Sequence, residues 1–376
     1  MPNPYPRLAP PLARLLHACC LFLLSACSPH AYEKIASDDP RIRYIGRFHQ
    51  REQARVSGWP GTQIEARFTG PSIAAVLTET PTPDEVRDYD RIRVSIDGGA
   101  PRELALVEGR HVYPLALGLD PGEHHVQLLK LTEGVVGTIG FEGFLLARGQ
   151  MLLAAPAEPK RRIELIGDSI TAGYGNEGRE ASCHWDAALE NNYLTYGAFA
   201  ARELGAAYSA IAWSGKGVLR NYDPVELEPM PEIYERVLPA DASAGRAPAS
   251  PRPDAVVINL GTNDIAANIP DGPTFERGYL TLLRRVRARY PDALLVIALG
   301  PMLADDVPQP QARSLMRRWL KNVEATWRAS GDDRIAWIEL WTDPAEGLGC
   351  DYHPNVRTHA RMGVELAALL RTRLDW

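Results

Sequence analysis

Four short polar stretches carry residues that together could transfer an acyl group. They are Gly167–Ser169, Trp213–Gly217, Gly261–Asp264 and Asp351–Asn355. Ser169 is a candidate nucleophile, and the imidazole of His353 has a suitable pKa to take its proton. The backbone N–H groups of Ser169 and Gly215 and the side-chain amide of Asn263 could stabilise the negative charge of a tetrahedral intermediate. The residue types therefore point to acyl transfer.

The elements that must position these residues alternate between strands and helices from residue 160 to 376. This alternation predicts an α/β domain with a parallel sheet covered by helices on both faces. Each polar stretch follows a predicted strand or lies in a loop at the carboxyl edge of the sheet, where open α/β sheets bind ligands. Strands are predicted at 163–166, 207–212, 255–260, 293–299 and 334–340, and helices at 193–204, 275–290, 310–329 and 356–374.

Residues 41–150 follow a different pattern. Apolar and polar residues alternate at 63–68, 91–97 and 124–131, with Gly, Pro and Asp turns between them. This period of two predicts an antiparallel β-sandwich of the jelly-roll type. The Pro/Ala-rich stretch 151–160 marks the boundary with the α/β domain.

The first 27 residues have the pattern of a secretory signal. Basic residues precede the short apolar run 18–24, which is followed by Ser25, Ala26 and Cys27. Leu24–Cys27 resembles a bacterial lipobox, in which Cys27 would carry the lipid; a plain signal peptide with an incidental cysteine is the alternative. Residues 28–40 are polar and predict a tether. We expect a protein anchored by lipid in the bacterial envelope, at the periplasm or the cell surface, or a secreted one if the lipobox is not used.

The cysteine count predicts one disulfide. Of five cysteines, two lie in the signal and Cys27 would be lipidated, which leaves Cys183 and Cys350. An even pair in an oxidising compartment is expected to be joined. Because both lie beside catalytic candidates, the bond would tie two loops of the site together.

The composition excludes some partners. The 376 residues include 41 Lys and Arg against 47 Asp and Glu, for a net charge of −6, which argues against nucleic-acid binding. No cluster of His, Cys and carboxylates has the spacing of metal ligands, so neither a metal nor a cofactor is expected. The membrane is a partner only through the lipid anchor, and the oligomeric state stays open.

The four polar stretches resemble the SGNH (GDSL-type) hydrolases. The Ser, Gly, Asn and His of that family match Ser169, Gly215, Asn263 and His353 in order, over about residues 160–376. The nucleophile is not in a Gly-x-Ser-x-Gly turn, which disfavours the α/β-hydrolase fold. The resemblance implies a serine hydrolase in which these four residues carry the chemistry.

A narrower resemblance covers nearly the whole mature chain. The sandwich ahead of the hydrolase, together with 190–197, 212–217 and 349–355, is similar to carbohydrate esterase family 2. That family implies removal of O-acetyl groups from polysaccharides or oligosaccharides such as those of xylan or glucomannan. Trp213 and Trp185 are candidates for stacking on a sugar ring, with packing in the core as the alternative for each. Asn192, within the matching stretch, is a further candidate for substrate binding.

The group that orients His353 is a departure from the wider SGNH pattern. The aspartate usually found three residues before the histidine is replaced here by Cys350. Asp351 is two residues before it, and on an extended loop it would project to the other side. The family 2 resemblance implies a Ser–His dyad with a backbone carbonyl holding the imidazole. We expect the dyad, with Asp351, Asp168 and Cys350 as supporting residues; whether Asp351 or a carbonyl orients the ring stays open.

The favoured function is that of a serine carbohydrate esterase that forms an acetyl-enzyme on Ser169. One alternative is an esterase for acyl groups of envelope glycans or lipids. Another is a non-catalytic carbohydrate-binding surface lipoprotein with a decayed hydrolase domain. All four catalytic positions carry the required residue types, which disfavours decay.

Overall fold

The computed structural model describes residues 32–82, 88–249, 251–266, 268–306 and 310–376. The predicted signal peptide 1–27, the lipidation of Cys27 and the first residues of the predicted tether lie outside these ranges. Within them, no helix combines the length and the apolar character that crossing a membrane requires.

The N-terminal part is an antiparallel β-sandwich, as predicted. Its strands are β1 Tyr32–Ala36, β2 Arg43–Ile45, β3 His49–Arg51, β4 Ala54–Ser57, β5 Gln63–Thr69, β6 Ser72–Pro81, β7 Arg91–Ile96, β8 Arg102–Ala105, β9 Gly109–Leu117, β10 Glu123–Lys130 and β11 Gly137–Ala147. One sheet has the order β3-β4-β11-β6-β9, with β1 also paired to β11, and the other has β2-β5-β10-β7-β8. Phe68 and Val126 from one sheet and Phe141 and Phe144 from the other share a buried core.

The prediction of a tether over residues 28–40 is wrong for its described part. Tyr32–Ala36 forms β1, which pairs antiparallel with β11, and Ile35 is buried in the sandwich core. Tyr32, Ile35 and Ala36 do not alternate with polar residues, so the segment gives no signal of period two; its main-chain pairing with β11 defines the strand.

The C-terminal part is the predicted α/β domain. Its elements are β12 Arg162–Gly167, β13 Ala207–Ala212, β14 Ala255–Asn259, β15 Leu294–Leu299 and β16 Ile335–Glu339, with helices α1 Ser169–Ala172, α2 Tyr196–Leu204, α3 Met230–Ile233, α4 Thr262–Ala266, α5 Gly272–Arg289, α6 Ala312–Ala329 and α7 Val356–Leu374. Side chains of α3, α5 and α6 cover one face of the parallel sheet, and those of α2 and α7 cover the other. For the four helices that the sequence predicts, the first and last residues in the structure lie within three residues of the predicted ones.

The strand order places the site. The sheet runs β13-β12-β14-β15-β16, so the chain leaves β12 toward one side, forms β13, and returns to form β14 on the other side. Open parallel sheets bind ligands beyond the carboxyl ends of the strands at such a reversal. Ser169 follows β12 and Asn263 follows β14, so the two residues flank the reversal point.

The two parts of the chain are in close contact. Trp59 of the sandwich is fully buried among side chains of the α/β domain, and its Nε1 donates to the carbonyl oxygen of Arg236 at 3.2 Å. Arg47 pairs with the buried Glu164 at 3.4 Å, and the hydroxyl of Tyr234 donates to the same carboxylate at 3.0 Å. The buried carboxylate of Glu164 therefore has partners on both sides of the domain boundary.

Candidate active site

The turn after β12 fixes the candidate nucleophile. Ser169 is the first residue of α1, and the preceding Asp168 caps the helix by accepting from the N–H of Ile170 at 3.1 Å. A Cβ on Gly167 would lie 2.0 Å from the hydroxyl oxygen of Thr171, so only glycine fits there. These contacts hold Ser169 half-buried at the edge of a cleft that it lines.

His353 lies directly against this serine. Its Nε2 is 2.9 Å from Ser169 Oγ, and its Nδ1 is 3.1 Å from the carbonyl oxygen of Asp351 and 3.2 Å from that of Cys350. Carbonyl oxygens only accept hydrogen bonds, so Nδ1 must carry the hydrogen. Nε2 is then free to accept the proton of the Ser169 hydroxyl.

The surroundings keep the imidazole neutral. Burial lowers the pKa of His353 to about 4, although the two carbonyl acceptors oppose this shift. At pH 7 the ring therefore has an unprotonated Nε2 toward Ser169. This is the form that a general base requires.

The carboxylate of Asp351 has other partners. It accepts from the hydroxyl of Tyr174 at 2.9 Å and from the N–H of Trp185 at 3.0 Å, and it pairs with His184 at 2.9 Å. Asp351 has a φ of 49°, in the left-handed region, and only its backbone carbonyl turns to His353. In the structure, backbone carbonyls hold the imidazole.

Tyr174 is a residue that the sequence analysis missed. Its ring centroid is 4.3 Å from that of His353. The ring also stacks with that of Trp185, with the two centroids 5.9 Å apart. Its hydroxyl also holds Asp351. An aromatic residue just after α1 was the only signal in the sequence, and it does not reveal the distant partner.

The loop after β13 carries Gly215, the second candidate oxyanion donor. Gly215 has a φ of 79°, a conformation in which other residues are strained. Asn263 Nδ2 donates to the carbonyl oxygen of Lys216 at 2.9 Å and makes a longer contact of 3.5 Å with Asp168. A substrate oxygen would compete with that longer contact. Gly215, Asn263 and Ser169 all line the same cleft.

Asp168 supports the site rather than entering the cleft. It is fully buried, and burial raises its pKa to about 7. Its carboxylate contacts the N–H of Ile170 and the amide of Asn263. It therefore links the nucleophile turn to the third oxyanion candidate.

The structure contains the predicted disulfide between Cys183 and Cys350, which are 167 residues apart in sequence. Next to it, the N–H of Asp351 donates to the carbonyl oxygen of Cys183 at 2.9 Å, and that of Cys350 donates to Gly175 at 3.0 Å. The bond therefore fixes the His353 loop to the loop that carries Trp185. Cys350 stands where an orienting aspartate was expected and supplies a backbone carbonyl instead.

Two of the three residues predicted to bind substrate do not line the cleft. Trp185 is half-buried and lines the cleft. Trp213 is only 8% exposed and packs in the core beneath Lys216, whose ammonium lies 5.6 Å from the ring centroid. Asn192 is fully buried, and its amide donates to the carbonyl oxygens of Thr171 and Ala172. The predictions for Trp213 and Asn192 are therefore wrong, because their side chains turn inward from the loops that carry them.

The cleft has a volume of about 700 Å³ and two unlike walls. Tyr174, Trp185 and His184 form an aromatic and polar wall, whereas the partly exposed Met302 and Leu303 form an apolar wall. Across the described ranges, no three His, Cys, Asp or Glu side chains are grouped as metal ligands. Ser169, His353 and the oxyanion candidates can perform acyl transfer with side-chain and backbone groups alone.

The fold and the site define a serine ester hydrolase of the SGNH type that carries an N-terminal β-sandwich. Residues 44–156 match the family "Carbohydrate esterase 2 N-terminal", and residues 165–361 match the "GDSL-like Lipase/Acylhydrolase family". A solved structure of a family two carbohydrate esterase from Clostridium thermocellum, in complex with cellohexaose, is similar with a TM-score of 0.81 at 33% identity, over 89% of this chain and 99% of that one. The chain belongs to carbohydrate esterase family 2.

Two curated relatives extend this comparison. The cellulase/esterase CelE of Acetivibrio thermocellus is 34% identical over 90% of this chain, which spans only 40% of the length of that relative. An acetylxylan esterase / glucomannan deacetylase of Cellvibrio japonicus is 27% identical over 94% of this chain and 96% of its own length. Both alignments extend over the sandwich and the hydrolase domain together.

Proposed function

We propose that this protein is a serine esterase that removes O-acetyl groups from polysaccharides such as xylan or glucomannan. The distance of 2.9 Å between His353 Nε2 and Ser169 Oγ, at the edge of a cleft large enough for sugar rings, carries the proposal. The family and the names of its relatives support the substrate class.

The geometry supports a two-step reaction. Ser169 Oγ attacks the acetyl carbonyl carbon while His353 Nε2 takes the hydroxyl proton, and the carbonyl oxygen becomes an oxyanion. The N–H groups of Ser169 and Gly215 and the amide of Asn263 stabilise that charge. The bond from carbon to the sugar oxygen then breaks, and the imidazolium donates its proton to that oxygen, so that the sugar leaves with a free hydroxyl.

The acetyl-enzyme is hydrolysed by the same groups. His353 takes a proton from water, the resulting attack releases acetate, and Ser169 regains its proton. The positive charge that forms on the imidazole in each step is stabilised by the carbonyls of Cys350 and Asp351, which accept from Nδ1–H. Trp185 offers an aromatic surface for the sugar beside the reacting ester.

The decisive experiment measures acetate release from acetylated xylan and acetylated glucomannan with wild type and Ser169→Ala. Release by wild type alone supports the esterase and ranks the polymers. If neither polymer loses acetate but 4-nitrophenyl acetate is cleaved, the chemistry stands and the polysaccharide assignment fails. If no ester is cleaved, a carbohydrate-binding surface protein becomes the better explanation.

A second candidate substrate carries a longer acyl group, such as an envelope lipid or glycan ester. The apolar wall with the partly exposed Met302 and Leu303 favours it, since an acetyl group would leave that surface largely uncovered. Comparing 4-nitrophenyl acetate with the octanoate ester tests this candidate. A higher kcat/KM for octanoate would favour the lipid-type substrate.

We also propose that the protein is exported and anchored through a lipid on Cys27. The pattern of residues 1–27 motivates this, and the disulfide between Cys183 and Cys350 fits an oxidising compartment. Labelling of the wild type by a palmitate analogue in a bacterial host, lost in Cys27→Ser, would support the anchor. Equal labelling of both proteins would refute it.

A further inference from the structure

We propose that Glu133, a residue of the sandwich domain, is a positioning residue that fixes the loop Trp213–Gly217 so that Gly215 can stabilise the oxyanion. The inference rests on the proposed esterase function. It assigns to the N-terminal domain a part in the chemical step itself.

The contacts of Glu133 point across the domain boundary. The residue lies between β10 and β11 and is fully buried. Its Oε2 accepts from the backbone N–H of Ser214 at 2.6 Å, and its Oε1 pairs with the Ser214 hydroxyl. Both carboxyl oxygens of a sandwich residue are therefore used to hold one residue of the α/β domain.

The held residue directly precedes the candidate oxyanion donor. Ser214 contributes the carbonyl of the peptide whose N–H belongs to Gly215. On the other side of Gly215, the carbonyl oxygen of Lys216 accepts from Asn263 Nδ2 at 2.9 Å. The left-handed Gly215, with its φ of 79°, is thus held from both sides. Without Glu133, Ser214 would lose both of its contacts with the sandwich domain, and the N-terminal side of Gly215 would be less firmly held.

Glu133 is itself rigidly placed. Its backbone N–H donates to Oε1 of the buried Glu190 at 2.6 Å, and its carbonyl oxygen accepts from Lys130 Nζ at 3.3 Å. Glu190 Oε2 in turn accepts from Trp185 Nε1 at 2.9 Å. The same pair of acids therefore connects the oxyanion loop to the aromatic wall of the cleft.

Burying these acids is unfavourable for the folded state. Burial raises the pKa of Glu133 to about 7. Burial, together with the nearby charge of Glu133, holds the pKa of Glu190 well above its ordinary value. A buried carboxyl group is tolerated only when hydrogen-bonded. The hydrogen bonds that satisfy the carboxyl oxygens of Glu133 come from Ser214, so the carboxyl group acts on the loop Trp213–Gly217.

The test measures the turnover of 4-nitrophenyl acetate by Glu133→Ala and Glu133→Gln. Loss of an oxyanion donor lowers kcat by about 10²–10³, so a displaced donor in Glu133→Ala should lower kcat by roughly 10–100-fold, with KM changed less than about threefold. Glu133→Gln should recover kcat to within about fivefold, since its amide oxygen can accept the Ser214 N–H and its NH₂ can donate to the hydroxyl.

A transition-state analogue separates positioning from general stability. Methylboronic acid forms a tetrahedral adduct with a serine hydroxyl, and its Ki should rise in Glu133→Ala by the same factor by which kcat/KM falls. Glu65→Ala is the matched control, because Glu65 is also a buried acid of the sandwich but pairs with Arg43 within that domain. We expect Glu65→Ala to lower the melting temperature without changing kcat.

Several outcomes would overturn the proposal. One is an unchanged kcat in folded Glu133→Ala; another is a lower kcat with an unchanged boronate Ki. If Glu133→Ala does not fold, Glu133→Asp, which keeps the acid but shortens its reach, must show the same fall in kcat and rise in Ki. If wild type hydrolyses no ester, the proposed function fails, and boronate affinity measured by ¹¹B NMR still decides the role of Glu133.

Discussion

Replacing Asp351 with Asn should reduce turnover only modestly. In serine hydrolases with an orienting carboxylate, removing its charge lowers kcat by about 10⁴. Here His353 Nδ1 contacts the carbonyl oxygens of Cys350 and Asp351, and these remain after the substitution. Asn also tolerates the left-handed conformation that Asp351 adopts, with its φ of 49°.

The expected magnitude follows from the contacts that the carboxylate makes. Asp351→Asn weakens the bonds from Tyr174, Trp185 and His184, of which an amide oxygen can retain the first two in weaker form. A net loss of about 1–1.5 kcal/mol is typical for one such bond. If all of it acted on the barrier, kcat would fall by roughly tenfold.

The assay is kcat and KM for 4-nitrophenyl acetate, with melting temperature as the check on folding. Tyr174→Phe is the matched control: it removes the hydroxyl that Asp351 accepts but keeps the ring beside His353. We expect this control to lower kcat by no more than about tenfold, since it loses one hydrogen bond of the same kind. A fall of 10³ or more in folded Asp351→Asn would refute the dyad and show that the carboxylate orients the imidazole.

Three further predictions concern the pH profile, the disulfide and the sugar surface. Because burial lowers the pKa of His353 to about 4 and only the neutral ring can act as a base, kcat/KM should lose activity on the acid side near pH 4; a midpoint near 6.5 would contradict this. Cys183→Ser should lower the melting temperature, since a loop of 167 residues gives a chain-entropy stabilisation of at most about 5 kcal/mol. It should also lower kcat, because the disulfide fixes the loop that carries His353. Trp185→Ala should raise KM for acetylated polymer but leave KM for 4-nitrophenyl acetate within about twofold, because a small ester needs no sugar surface. Equal changes with both substrates would argue against sugar stacking.

The sequence was sufficient to predict features that depend on local pattern. Alternation in period two predicted the sandwich strands, and continuous apolar runs predicted the parallel strands that end before Ser169 and Asn263. Chain topology then brings those ends to one edge. The inward turn of Trp213 could not be predicted, because the direction of a side chain just after a strand depends on the core available beneath it.

Features that depend on contacts between distant segments lie beyond the sequence pattern. The carbonyls that hold His353 belong to a turn in which Asp351 and Tyr352 adopt left-handed conformations, with φ of 49° and 64°. This conformation is uncommon for a tyrosine, and no motif marks the turn. The disulfide and the bonds of the Asp351 carboxylate to Tyr174 and Trp185 stabilise that turn. The aspartate therefore contributes by shaping the turn, and its backbone oxygen, rather than its carboxylate, contacts the imidazole. The cysteine at position 350, where the wider family has an aspartate, thus goes with an imidazole that backbone carbonyls hold instead of a carboxylate.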